Sequence, residues 1–207
     1  MKIKAIFFDF DGVLTTDKSG SVSTAKYFSK KLGVSPEELV ASYKEHFADA
    51  DHKIDIGEAQ NNIIWQSMCE SFDVEYNPDW INEAFDTSPI DNKMVEFAKK
   101  LKEKFIVGII TDNGKDRADY IFPKHKFNEI FNPIIISAYV KTIKAGTEIF
   151  EIAANRAGVN PDECIFIDNT PKNLVSAERL GIAGIHFDDA VRDYEKLFND
   201  VEKIIKL

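Results

Sequence analysis

With 207 residues, 44% hydrophobic and 29% charged, the chain is composed like an ordinary globular protein and is long enough for a core domain with a smaller insert, which excludes disordered and fibrous classes. A net charge of -9, from 35 acidic and 26 basic residues, opposes binding to nucleic acid or an anionic membrane and leaves a small molecule as the expected partner. The amino terminus turns acidic at Asp9 after a short apolar run, and no later apolar segment is long enough to span a bilayer, so the chain is expected in the cytoplasm.

The first element sets the pattern. From Ile3 and Ala5 to Phe8 the residues are largely apolar, β-branched or aromatic and read as a buried strand, which stops abruptly in Asp9-Phe10-Asp11-Gly12. In an open α/β sheet ligands gather outside the carboxyl ends of the strands, so Asp9 and Asp11 stand where a site is expected. Side chains alternate along extended backbone, which predicts both carboxylates on one side with Phe10 turned away, able to share one metal or one substrate. Thr16 to Ser21 is a polar loop leaving the sheet.

From Ser23 to about Thr87 the pattern is helical throughout. A first helix is predicted over Ala25 to Leu32, stopped by Gly33. Ser35-Pro36-Glu37-Glu38 opens a second, with Ser35 as N-cap, Pro36 at the first helical position and Glu38 completing a capping box. Leu39, Val40, Tyr43 and Phe47 supply its apolar stripe. A third helix runs from about Glu58 to Phe72, and Asn77-Pro78 opens a fourth carrying Trp80, Ile81 and Phe85. No strand pattern interrupts these four, so residues 16–87 are expected to form a small helical domain inserted into a core made of residues 1–15 and 88–207.

Past Ser88-Pro89 helix and strand alternate. Met94, Phe97, Ala98 and Leu101 line a helix that leads into the apolar run Phe105 to Ile110, which ends in Thr111-Asp112-Asn113-Gly114. A helix over Arg117 to Phe122, a strand over Pro133 to Ser137 and a helix from Thr147 to Ala157, closed by Gly158, follow. Cys164 to Ile167 is a fourth strand ending at Asp168-Asn169-Thr170. Leu174 to Leu180 is a helix, Ala183 to Phe187 a last strand, and a helical tail begins at Asp189. This alternation predicts an α/β, Rossmann-like parallel sheet with helices on both faces, plus the small α-helical insert after the first strand. Three strands end in acid, hydroxyl or amide residues and the pair Lys141 and Lys144 follows another, the pattern of a site assembled at one sheet edge. Cys69 and Cys164 are too few and too scattered for a disulfide framework or a structural zinc site and are expected as buried thiols, while His46, His52, His125 and His186 show no metal-ligand spacing.

Taken together, these motifs resemble the haloacid dehalogenase (HAD) superfamily, whose signatures are an Asp-x-Asp after the first strand, a Thr or Ser after the second, a Lys further on and an acidic pair after the fourth. Asp9 and Asp11, Thr111, Lys144, and Asp168 with Asn169 fill those positions in order, and the helical insert resembles the family's cap. The resemblance implies a Mg²⁺-dependent phosphatase acting on a small phosphorylated metabolite, in the branch of sugar-phosphate phosphatases and the phosphatase domain of epoxide hydrolases. It implies Asp9 as the nucleophile that becomes an aspartyl-phosphate and Asp11 as general acid and base. Thr111, Asp112, Asn113 and Lys144 are implied at the phosphate, and Asp9, Asp11, Asp168 and Asn169 at the metal. Asn173 fits the fourth motif as a structural residue. Carbon–halogen cleaving members lack the second acid, so Asp11 favours phosphate chemistry.

Two departures stand out. Ala145 replaces a usual proline, and Asn169 replaces the usual second acid, which brings no charge to the cation and is expected to weaken metal affinity. A phosphomutase using the same residues, or a catalytically impaired phosphate-ester-binding protein, are the alternatives. Tyr43, Phe47, His52, Lys53 and Trp65 are the insert residues that could face the site, with hinges near Thr15 to Gly20 and Thr87 to Asp91.

Overall fold

The structure, a computed structural model, describes residues 2–206. Strand β1 (Ala5–Phe8) is followed by the helices α1 (Gly20–Leu32), α2 (Pro36–His46), α3 (Ala50–Asp55), α4 (Asn61–Ser71) and α5 (Asp79–Asp86). The chain then continues through α6 (Asn92–Lys102), β2 (Ile106–Thr111), α7 (Lys115–Lys124), α8 (Phe127–Ile130), β3 (Ile134–Ile136), α9 (Ser137–Val140) and α10 (Glu148–Ala157). It ends with β4 (Cys164–Asp168), α11 (Pro171–Glu178), β5 (Ala183–His186) and α12 (Tyr194–Ile205).

The strands form one parallel sheet in the order β3-β2-β1-β4-β5. Its centre is buried on both faces, which is why β1 reads as a continuous apolar run rather than an alternating one. Ile6 and Phe8 enter one core with Ile109, Ile165 and Ile167, closed by α6, α7, α8 and α12. Ala5 and Phe7 enter a second core with Ile110 and Phe166, closed by α10 and α11. Phe8 is fully buried, with the Phe131 ring 6.0 Å away edge-on, so Phe8→Ala would cost about 3–5 kcal/mol. Because β1 sits centrally, with β2 and β3 to one side and β4 and β5 to the other, the strand order reverses beside it, and a crevice opens at the carboxyl ends of β1 and β4.

The insert contains five helices where the sequence predicts four. The additional one, α3, is too short to show a helical period. Helix α1 begins at Gly20 rather than Ala25 and α4 at Asn61 rather than Glu58. Ser35 does cap α2, accepting from the Glu38 N–H at 3.1 Å, but the return bond from the Glu38 side chain is absent, so the expected capping box is half made. The tail helix starts at Tyr194, five residues later than expected in effect, because the Asp193 side chain caps it through the Lys196 N–H. Stacking of Phe28 on Trp65, with centroids 4.3 Å apart, ties α1 to α4.

The two connections between insert and sheet run side by side. Thr15 and Ile90 pair as an antiparallel bridge, the Thr16 N–H donates to the Pro89 carbonyl at 2.8 Å, and the Asp91 N–H donates to the Leu14 carbonyl at 2.9 Å. Cys69 and Cys164 are buried free thiols, as expected. Among the described residues no helix is long and apolar enough to cross a membrane.

Candidate active site

Asp9 leaves β1 still extended, at φ -68° and ψ 161°, and its N–H donates to the Ile167 carbonyl of β4 at 2.8 Å. The backbone bond therefore seats the Asp9 carboxylate in the crevice between β1 and β4. Residues Phe10–Leu14 then make a wide turn, kinked at Asp11 and at Gly12, whose φ of 79° favours glycine. Gly12 is needed on a second count, since a Cβ there would lie 2.3 Å from the Asn169 Nδ2.

The strand ends converge on Lys144. Its ammonium is 2.7 Å from Asp9 Oδ1 and donates to Asp168 Oδ2 at 2.9 Å, with all three side chains under a tenth exposed. Asp112 holds the loop that delivers it, accepting from the Lys144 N–H at 3.0 Å. Asp168 is fixed in turn by the Thr170 N–H at 2.6 Å and by Asn173 Nδ2 at 3.0 Å. Asn173 thus takes the structural place expected of it. Lys141 is exposed, so the choice of Lys144 over Lys141 agrees with the geometry.

The Phe10 N–H also donates to Asp9 Oδ1, at 2.7 Å. Both contacts fall on one oxygen, and Oδ2 has no protein partner among the described residues. Burial, then the neighbouring Asp168, holds the Asp9 carboxyl well above the usual carboxylate range, against the pull of Lys144. Lys144 itself is raised because the carboxylates of Asp9, Asp168 and Asp112 outweigh its own desolvation. Two buried carboxylates facing one ammonium leave negative charge in excess, an environment that favours further positive charge.

The alternation expected to carry from Asp9 to Asp11 is corrected by the structure. The strand ends at Phe8, so simple alternation does not carry through to Asp11, whose carboxylate is gripped by Arg117: Nη1 lies 2.7 Å from Oδ2 and Nη2 2.9 Å from Oδ1. Asn113 Nδ2 adds a third bond to Asp11 at 3.1 Å. Asn113 is held through its N–H by Ser137 Oγ at 2.9 Å, and its amide reaches the buried Thr111 hydroxyl at 3.5 Å. Arg117, Ser137 and Ser88 are the site residues that sequence reasoning did not single out.

Between these strand ends and the helical insert lies a cavity of about 410 Å³. Asp11, Asp112, Asn113 and Arg117 line it from the sheet side, and Leu39, Tyr43, Phe47, Asp55 and Trp65 from the insert. Three of the five insert residues expected at the site are thus in place, whereas His52 and Lys53 are exposed and do not line it. Asp55 was not foreseen. Burial, reinforced by Asp112 and Asp51, pushes its carboxyl up to about 7, while Lys144 pulls the other way.

The fit of Mg²⁺ to these residues follows from the donor chemistry. Among the described residues no three His, Cys, Asp or Glu side chains converge as a ready cage. Mg²⁺ needs no such cage, since it is commonly held by one or two carboxylates with waters and substrate phosphate. Asp9 and Asp168 provide two buried carboxylates with excess negative charge, and the Asn169 amide packs beside them against Gly12. The residues fit the ion.

A family model described as haloacid dehalogenase-like hydrolase matches residues 3–181. Among characterised proteins, the glyceraldehyde 3-phosphate phosphatase of Pyrococcus furiosus is 23% identical over 205 residues, covering 90% of this chain and 81% of that one. The bifunctional epoxide hydrolase 2 of Rattus norvegicus is 22% identical over 99% of this chain, which spans only 39% of that protein. Among solved structures, the magnesium complex of the HAD family enzyme bt-2542 from Bacteroides thetaiotaomicron superposes with a TM-score of 0.76 at 23% identity, covering 96% of this chain and 99% of that one. The same enzyme's complex with magnesium and inorganic phosphate gives a TM-score of 0.75 at 21% identity, over 95% and 99%.

Proposed function

The chain belongs to the haloacid dehalogenase-like hydrolases, and on that premise we propose that it is a phosphatase acting on a small phosphorylated, sugar-phosphate-like metabolite through a phosphoryl group carried on Asp9. The observation that carries this reading is the buried Asp9–Lys144–Asp168 cluster at the ends of β1 and β4; the cavity of about 410 Å³ is lined by its neighbours Asp11 and Asp112 and not by the three cluster side chains. The same reading divides the chain into a core, residues 1–15 and 88–207, and a cap, residues 16–87.

In the first step the unpartnered Asp9 Oδ2 attacks phosphorus while the ester P–O bond breaks, and Asp11, having taken up a proton from solvent, gives it to the departing oxygen. In the second, Asp11 takes a proton from water, whose oxygen bonds to phosphorus as the bond to Asp9 breaks and releases inorganic phosphate. Asp9 therefore ends as it began. Thr111 and Lys144 donate to the transferring phosphoryl oxygens, with Asn113 orienting the Thr111 hydroxyl. Asp112 serves this group indirectly by holding the Lys144 loop. Mg²⁺ held by Asp9, the Asp11 backbone carbonyl, Asp168 and Asn169 supplies the positive charge that lets an anionic carboxylate approach a phosphate dianion. The cap's apolar wall, Leu39, Phe47 and Trp65, covers the leaving group and excludes water.

The test is hydrolysis of p-nitrophenyl phosphate with and without Mg²⁺, by the native chain and by Asp9→Asn. Mg²⁺-dependent turnover that Asp9→Asn lowers at least about 10³-fold is expected for a covalent nucleophile. Turnover that survives Asp9→Asn, or phosphate-ester binding with no turnover at all, overturns the reading.

A further inference from the structure

Arg117 lies outside every motif used so far, yet its guanidinium is bonded on all sides. Two Nη hydrogens go to Asp11, at 2.7 and 2.9 Å, and the others to Asn113 Oδ1 at 3.1 Å and Ser88 Oγ at 3.3 Å. Nε is buried and has no hydrogen-bond partner among the described residues. Every Nη donor is thus committed within the protein and the remaining donor is enclosed, so Arg117 offers nothing to a substrate phosphate.

Its surroundings explain what it does offer. The Phe10 ring lies 5.3 Å from Cζ, and Gly20 packs so closely that a Cβ there would sit 2.3 Å from the same atom. Gly20 opens α1, on the strand of chain entering the cap, and Ser88 follows α5, on the strand leaving it. One side chain therefore touches Asp11 and both crossings.

We propose that Arg117 is a positioning residue that sets the orientation of the Asp11 carboxylate for proton transfer and couples that orientation to the seating of the cap. The inference rests on the reading of Asp11 as the acid and base. A forked guanidinium–carboxylate pair fixes the rotation of the carboxylate plane, which an ammonium does not. Without it, Asp11 keeps only the bond from Asn113 Nδ2.

The proton that Asp11 delivers matters in proportion to the basicity of the leaving oxygen. An alkoxide departs only with a proton, whereas p-nitrophenolate departs without one. Steady-state kinetics of glycerol phosphate and p-nitrophenyl phosphate, on the native chain, Arg117→Lys and Gly20→Ala, separate positioning from folding. Leaving-group departure governs kcat/KM, whereas kcat also contains the water step that Asp11 serves for either ester; proton transfer contributes about 10²–10⁴-fold, so Arg117→Lys is expected to lower kcat/KM for glycerol phosphate about 30-fold or more, with kcat/KM for p-nitrophenyl phosphate falling less than about threefold. Gly20→Ala retains the arginine and displaces it from the cap side, and it is expected to reproduce the selective loss. Equal losses of kcat/KM on both esters, or none, in the Gly20→Ala protein overturn the inference even where Arg117→Lys fails to fold. If the native chain hydrolyses both esters and Asp9→Asn neither, that result leaves the phosphatase reading standing. A native chain that hydrolyses neither overturns both.

Discussion

Replacing Lys144 by methionine keeps a buried unbranched side chain, one heavy atom shorter, and removes the ammonium with its charge and donors. The ammonium sits 2.7 Å from Asp9 and 2.9 Å from Asp168. At an effective dielectric of about 20, each contact carries on the order of 6 kcal/mol of attraction. Most of that offsets the desolvation of three buried charges, and the net cost of removing one partner is about 3–5 kcal/mol. For a chain of this size 1 kcal/mol moves Tm by roughly 2–4 °C, so Lys144→Met should melt roughly 6–20 °C below the native protein. The deficit depends on pH with a definite sign. Asp9 already stands above the usual carboxylate range, and losing the cation raises it further. The unfolded carboxylate is the same in both proteins and cancels from the comparison, so the deficit grows over the window between the raised folded value of Asp9 in the native protein and its still higher value in the variant, and is not larger at pH 5 than at pH 7.5. Thermal unfolding followed by circular dichroism at the two pH values decides it. A Tm within about 2 °C of native, or a deficit larger at pH 5, would refute the claim that Lys144 balances a surplus of buried carboxylate charge.

Restoring a second acid with Asn169→Asp places a full negative charge beside the proposed cation, and at least a tenfold gain in Mg²⁺ affinity is expected from the Coulomb term; isothermal titration with Mg²⁺ alone measures it, and unchanged affinity would mean that Asn169 lies away from the ion. Asp55 should destabilise the folded chain progressively between its ordinary value of 3.8 and its raised value of about 7, because over that window the folded state keeps a proton that the unfolded state gives up. Asp55→Asn removes this term, so its gain in Tm over the native protein is expected to be larger at pH 8 than at pH 5, and equal gains would count against the burial argument.

The parallel sheet was legible because burial on both faces writes itself as unbroken apolar runs, as in β1 and β4, and because each run ends in polar residues at the same sheet edge. Lys144 was recognisable by its place in the order of motifs, and the structure places it buried between Asp9 and Asp168 while Lys141 is exposed. What stayed hidden depends on tertiary closure. Arg117 looks like one more polar residue on an amphipathic helix, and its meaning comes from Asp11, 106 positions away in sequence. Asp55 and Asp51 fall in a charged stretch whose solvated reading is the ordinary one, until α3 turns it toward the cavity. The alternation argument failed because β1 ends at Phe8 and the chain enters the turn of Phe10–Leu14 before it reaches Asp11.

The paired crossings at Thr15 and Ile90 make the architecture modular. Chain departs from the sheet and returns to it at one hydrogen-bonded point, so the strands register nothing about the length or content of what lies between. Closing a longer excursion costs little, about 0.6 kcal/mol for each doubling of its length. Asp9, Asp11, Asp168 and Lys144 all belong to the part of the chain outside that excursion. An insert of different length or content fits between Thr16 and Pro89 without altering the strand ends, with Arg117 touching both sides of the splice through Gly20 and Ser88.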